Sequence, residues 1–295
     1  MKRGCVIGYD INEKGCQISY YDDSMEEPDT MMASSNNYLI PLVLGYFKDR
    51  WVFGKEAKRL AVVGEDCTET DLYGKAKRRE KVSLAGKTYD AVWLLAKYIS
   101  LTLQDFENIQ YLTFTTPETD VDMAKMLKGI GQHIGVDKEI INVQDYKESF
   151  CQYMFYQPKE LWQYESALFY CDEDRIKAYM LRRLRVDASH GMNSFVTVDE
   201  VANAQRKELE ALYPIMNKEK SPDESFKSMI ENVFEKKVIS SVYLTGEGFE
   251  KNWYRILSGC FVTADVPLWE IIFTAREPAT NLSGNASQMM TDRFI

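Results

Sequence analysis

Twice in this chain a short apolar run stops at an aspartate and is followed by a turn and a returning strand. The first is Cys5-Val6-Ile7-Gly8-Tyr9-Asp10, then a turn containing Asn12 and Gly15, then the alternating run Cys16-Gln17-Ile18-Ser19-Tyr20-Tyr21. The second is Ser166-Ala167-Leu168-Phe169-Tyr170-Cys171-Asp172, then the turn Glu173-Asp174-Arg175, then residues 176–184. A run this apolar reads as a strand buried on both faces, and the segment after the turn as its hairpin partner. A hairpin that recurs so far along the chain calls for two lobes of similar build. The length of 295 residues suits them, at roughly 150 residues per domain.

The segments between the hairpins supply the rest of an α/β pattern. Residues 39–44 and 51–54 read as strands joined at Lys48-Asp49-Arg50, with a short helix over 55–60. From residue 90 to 106 the apolar positions Val92, Leu95, Ala96, Ile99, Leu103 and Phe106 recur at helical spacing. Residues 109–115 form a buried strand closed by Pro117, residues 121–135 a helix stopped by Gly135, and residues 140–143 another strand. Residues 145–157 lead through helix and turn to the second hairpin. Residues 197–213 and 222–234 are helical by period, and residues 238–245 make a strand running into Gly246-Glu247-Gly248, with a helix over 250–257. Residues 22–35 are acidic and Met-rich and read as an exposed loop. The basic run at residues 74–81 reads as a solvated linker before it reads as a contact for an acidic ligand.

Composition excludes several classes of protein. Hydrophobic residues at 45% and aromatics at 13% rule out wholesale disorder. A net charge of -9 repels phosphate backbones, so nucleic acid is not the expected partner. No apolar stretch reaches the roughly 18 to 20 residues of a membrane span, and the start turns polar too soon for a signal peptide, so the expected location is cytoplasmic. Six cysteines without a C-x-x-C pair suggest neither a zinc site nor a disulfide framework. With only His133 and His190, a multi-histidine metal centre is excluded.

The order of these motifs resembles the superfamily of sugar kinases, actin and heat-shock-70 ATPases. Where that family has D-x-G-[ST]-[ST], this chain has Asp10-Ile11-Asn12-Glu13-Lys14-Gly15; where it has D-x-G-G-G-T, this chain has Asp172-Glu173-Asp174-Arg175. Its strand ending [TV]-G-G corresponds to Val242-Tyr243-Leu244-Thr245-Gly246-Glu247-Gly248. Ile40-Pro41, Val52-Phe53-Gly54-Lys55-Glu56-Ala57, Leu112-Thr113-Phe114-Thr115-Thr116-Pro117 and Ile134-Gly135 resemble further heat-shock-70 segments, so the likeness covers residues 1 to about 260. It is similar, too, to a bacterial group related to heat-shock-70 ATPases.

The resemblance implies a two-lobed α/β fold, actin-like and ribonuclease H-like, with duplicated mixed-sheet domains. The lobes would span residues 1–165, with a small insertion at about 25–90, and 166–295, with a helical insertion at about 195–236. It implies ATP or ADP with magnesium as ligands. Asp10 would hold the hydration shell of the magnesium, Asn12, Lys14, Gly15 and Asp172 would lie by the phosphates, and Thr245, Gly246 and Gly248 would cradle adenosine and ribose. The alternative roles are plain ones: a turn cap for Asp10, a solvated turn for Asp172, and a strand-to-helix turn at Thr245.

Departures from the family pattern weaken the catalytic expectation. Glycines in the two hairpins let backbone N–H groups approach phosphates; here the first turn has one, set far from Asp10, and the second has none. Glu13, Glu173 and Asp174 add negative charge, which Lys14 or magnesium would have to offset. Gln144 or Asp145 lies where the family positions the attacking water. The expectation is a weak nucleotide binder or pseudo-ATPase, with cofactor weakly held or absent, that acts as a protein-interaction or assembly module. The helices expected at 197–234 are its partner surface. The alternatives are an active Mg-ATP-dependent switch or chaperone-like protein, and, behind that, a small-molecule kinase.

Overall fold

The computed structural model describes residues 4–34, 37–63, 67–155, 165–171, 175–185, 194–205, 239–246 and 271–273. They fall into two compact units, within Met1–Tyr153 and within Met154–Glu277. Both are α/β or β structures whose main sheet mixes parallel and antiparallel strands. Among the described residues no helix is long and apolar enough to cross a membrane.

The first unit begins with the hairpin of β1 (Cys5–Ile11) and β2 (Gly15–Asp22), as the apolar run and its alternating partner require. Short strands β3 (Asp29–Thr30) and β4 (Ile40–Pro41) both pair with β2. The chain then builds a small subsidiary layer: β5 (Leu44–Phe47), β6 (Arg50–Phe53), α1 (Gly54–Val63) and β7 (Thr68–Glu69), with the strands in the order β6-β5-β7. Lys48 and Asp49, both at positive φ, make the two-residue turn between β5 and β6. Next come α2 (Leu72–Lys77) and the separate hairpin of β8 (Lys81–Leu84) and β9 (Lys87–Asp90).

Helix α3 (Ala91–Thr102) starts where Asp90 accepts from the N–H groups of Val92 and Trp93. After it, β10 (Ile109–Thr116) runs parallel to β1 on the side away from β2. Helix α4 (Val121–His133) is capped by Asp120, and Gly135 at φ +95 ends it with the N–H of Val136 returned to the Gly131 carbonyl. Strand β11 (Ile141–Asp145) adds parallel to β10, and α5 (Tyr146–Phe155) follows without a break. The main sheet therefore reads β11-β10-β1-β2-β3. Ile7, Tyr9, Ile11, Ile18, Leu112 and Phe114 from its centre pack in one core with Leu94, Leu95, Ile99, Leu127 and Ile130 from the helices.

Among its described residues, the second unit repeats this strand order. It contains β12 (Glu165–Cys171), β13 (Arg175–Arg185), β14 (Ser194–Gln205), β15 (Ile239–Gly246) and β16 (Ile271–Phe273), arranged β14-β13-β12-β15-β16. As in the first unit, the opening strand sits at the centre, its hairpin partner lies antiparallel on one side, and two parallel strands extend the other. Ala167, Leu168, Phe169, Ala178, Met180 and Tyr243 are buried there.

Three segments differ from the sequence expectation. The start of the helix expected at 197–213 is strand: Thr197 lies in β14, opposite Arg182 of β13. The strand expected over residues 39–44 is two, broken after Pro41, because β4 pairs with β2 whereas β5 pairs with β6 and β7. The basic run is no linker: it opens in α2 and ends at β8, with Lys75 held by Glu69 at 2.8 Å and Arg78 by Asp71 and Glu80 at 2.9 and 2.6 Å. Two of its charges, Lys75 and Arg78, are thus engaged by neighbouring acids, while Lys77, Arg79 and Lys81 are exposed.

Candidate functional site

In an open sheet with parallel strands, ligands collect at the carboxyl ends of those strands. In the first unit the register places Asp10, Thr115 and Gln144 side by side there, with Thr116 opposite Asp145 one step further on. Asp10 is half-buried at the end of β1, the place expected for it. Its carboxylate accepts a 2.7 Å hydrogen bond from the hydroxyl of Tyr146, the first residue of α5. Asn12 donates its side-chain amide to the same hydroxyl at 3.3 Å.

Tyr146 was not singled out by the sequence reading, yet a signal existed. Asp145 and Glu148 form a reciprocal cap: Glu148 N–H donates to Asp145 at 2.9 Å, and Asp145 N–H to Glu148 at 3.1 Å. The spacing D-x-x-E directly after an apolar strand marks a helix start and so puts the next side chain at the strand ends. Asp145 also pairs with Lys147 at 3.2 Å. It is thus engaged in ending β11 and starting α5.

Gln144 is engaged as well. It is buried, donates to Ser149 at 2.6 Å and accepts from Asn142 at 3.2 Å. Ser149 in turn shares a 3.3 Å hydrogen bond with Thr115. Thr116 donates to the Glu118 carbonyl and meets the Thr119 hydroxyl. Tyr73 of α2 closes the other flank; burial, followed by the nearby charges of Asp10 and Glu13, pushes its hydroxyl well above the usual tyrosine range.

The resemblance would put Asn12, Lys14 and Gly15 of the turn between β1 and β2 beside the phosphates. Instead the Asn12 side-chain oxygen accepts from the N–H of Lys14 at 2.9 Å and of Gly15 at 3.2 Å, and the Asn12 N–H returns to the Gly15 carbonyl at 3.0 Å. Such a side-chain-closed turn stabilises itself and leaves those donors occupied. Gly15 serves packing: it is buried opposite Pro41, and a Cβ there would overlap the Ile40 carbonyl oxygen. The Lys14 carbonyl accepts from Leu42 N–H, which ties the turn to β4. These residues do not fit a triphosphate cradle, and exposed Glu13 adds charge of the wrong sign for one.

In the second unit, Thr245 and Gly246 end β15 opposite Tyr170 and Cys171. Asp172 and Gly248 lie outside the described residues. Register nevertheless corrects the pairing of the two hairpins. Ile11 closes the first against Cys16, and Cys171 closes the second against Ile176, so each turn has the same length. Counted from those closing pairs, Tyr170 holds the place of Asp10, and Asp172 corresponds to Asn12. Lys177, buried, then stands where the first hairpin has Gln17.

Among the described residues no group of three or more His, Cys, Asp or Glu side chains is placed to hold a metal ion. A pocket of about 370 Å³ lies at the opposite, amino end of β1 from Asp10, lined by Cys5, Tyr20, Asp22, Met31, Asp105, Phe106 and Glu107.

A family model described as "Family of unknown function (DUF5716) C-terminal" matches residues 27–260, and the chain belongs to this family. The matched stretch begins after β2, so the Asp10 hairpin precedes it. No curated protein matches the chain.

Proposed function

We propose that the chain is a divergent member of the actin, heat-shock-70 and sugar kinase superfamily, its two units being the lobes of an actin-like fold, and that it works in the cytoplasm as a protein-interaction or assembly module. In this reading ATP or ADP binds weakly or not at all, and turnover is absent or very slow. The observation behind it is the Asn12 side chain, which takes the N–H groups of Lys14 and Gly15 that a phosphate would need. Phosphoryl transfer depends on donors aimed at developing charge, so their loss weighs directly on catalysis. The engagement of Gln144 with Ser149, and of Asp145 in the α5 cap, supports the same conclusion. The superfamily assignment is supported by the strand order and polarity that the two units share.

A second reading, an active Mg-ATP-dependent switch, is favoured by one observation: a half-buried carboxylate, Asp10, at the carboxyl ends of parallel strands. Two measurements separate the readings. Phosphate release from Mg-ATP by the purified chain should stay at background, and calorimetric titration with ATP should give the same weak or absent heat for the parent and for Asp10→Ala. Robust release that disappears in Asp10→Ala would restore the ATPase reading.

A further inference from the structure

The hydroxyl of Tyr146 sits between two groups of opposite hydrogen-bonding sense. It donates to the Asp10 carboxylate at 2.7 Å and accepts from the Asn12 amide at 3.3 Å. Which end of that amide faces it is fixed by the turn: the Asn12 side-chain oxygen is taken up by the N–H groups of Lys14 and Gly15, so the NH2 end points at Tyr146. The position beside Asp10 is therefore defined by one acceptor and one donor, which is the complement of a hydroxyl.

That pairing decides against a hydrated cation in the same place. Water bound to magnesium commits its lone pair to the metal and turns its two O–H groups outward. One of them would suit Asp10, but the Asn12 amide would then present a donor to a donor. A second carboxylate in the place of that amide would accept from such a water. The tyrosine is also held where it is needed, because Asp145 and Glu148 cap the start of α5 reciprocally and Tyr146 is its first residue.

We propose that Tyr146 is the built-in occupant of the strand-end site: its hydroxyl takes the place of an external ligand, and the Asn12 amide makes that place selective for a hydroxyl over a metal-bound water. The β1–β2 turn and the start of α5 are thereby held in one closed state that needs neither nucleotide nor metal. Tyr146 is a positioning residue in this scheme, acting through Asp10 and Asn12. The inference rests on the non-catalytic reading of the site and adds to it the residue that closes the site.

Native-state hydrogen exchange of the full chain, read over residues 10–16 and 145–150 with and without millimolar MgCl2, tests it. In the parent, exchange in both segments should be slow and indifferent to MgCl2. Tyr146→Phe keeps the ring and removes the hydroxyl; it should speed exchange in both segments about tenfold or more, the scale of one hydrogen bond to a charged group, and remain indifferent to MgCl2. Tyr146→Phe with Asn12→Asp exchanges the donor for a second acceptor, so MgCl2 should now slow exchange over residues 10–16 about tenfold, and adding Asp10→Asn should abolish that response. Magnesium protection of these residues in the parent, exchange unchanged by Tyr146→Phe, or a folded double variant that ignores MgCl2 would overturn the proposal. Should the double variant not fold, the parent and Tyr146→Phe still decide it. Phosphate release from Mg-ATP on the same samples tests the non-catalytic reading separately: turnover together with magnesium protection in the parent defeats both ideas, and no turnover with exchange indifferent to Tyr146→Phe defeats this one alone.

Discussion

A four-residue turn has few N–H groups to offer, and in residues 12–15 one side chain takes two of them. Asn12→Ala removes that acceptor, leaving the N–H of Lys14 and of Gly15 to water. The cost should be about 1 kcal/mol, the scale of a lost cap or turn hydrogen bond, because the site is partly exposed and water replaces the acceptor in part. Urea unfolding should register it as a lower midpoint at unchanged slope; an unchanged midpoint would mean that Asn12 does not hold the turn. Residue types in this turn were legible in the sequence, but their purpose was not. Asn12 and Gly15 stand in the place of a phosphate-binding turn without its pattern, and only the approach of the Ile40 carbonyl to Gly15 reveals that the glycine makes room for β4. Contacts between residues so far apart in the chain leave no trace in local pattern. For Tyr146 the D-x-x-E spacing announces the helix start, but not its bond to Asp10, which joins the end of β1 to the start of α5.

Elements announced themselves where one period held. Apolar runs gave β1, β10 and β12, and three-to-four spacing gave α3 and α4. Strand β14 escaped for a physical reason. Ala178 pairs with Ala202 but Tyr179 pairs with Glu200, so Val201 is an extra residue in a bulge. The bulge shifts the alternation by one, and the spacing of Val198, Val201 and Ala202 then imitates a helix, although Val196, Thr197 and Val198 already spoke for a strand. Native-state hydrogen exchange should settle the matter independently. If β14 pairs along one side with β13, protection over residues 195–204 should alternate from one amide to the next, interrupted near Val201. A continuous block of protected amides would indicate a helix and sink the assignment. The candidate partner surface once placed on helices at 197–234 therefore loses its helical start to a strand.

For the whole molecule, the duplicated hairpin was legible because both copies are apolar, whereas their register was not: equal turn lengths set Asp172 against Asn12, a displacement that counting aspartates cannot detect. The core also sets how the protein responds to alkali. Burial pushes the thiols of Cys16 and Cys151 up to about 12 from an ordinary value near 9. Raised folded-state values mean that the unfolded chain loses these protons first. Stability should therefore be whole below about pH 9 and fall as pH rises towards 12. Urea midpoints that decline across that window, with both thiols refusing alkylation in the native state at neutral pH, would bear this out; ready alkylation of Cys16 at neutral pH would refute it. A last consequence concerns synthesis. Strand β1 is zipped to β2 as soon as both exist, but its other edge must wait for β10, since Asp10 finds its neighbour only at Thr115. While a ribosome makes everything between, the central strand of the first sheet stands with one apolar edge unmatched, open to any passing strand. The early layers that fold in that interval, β5 to β9 with their helices, are thus built beside an unfinished sheet, and a chaperone that shields β1 should improve the yield of folded chain more than one acting after Thr116 has emerged.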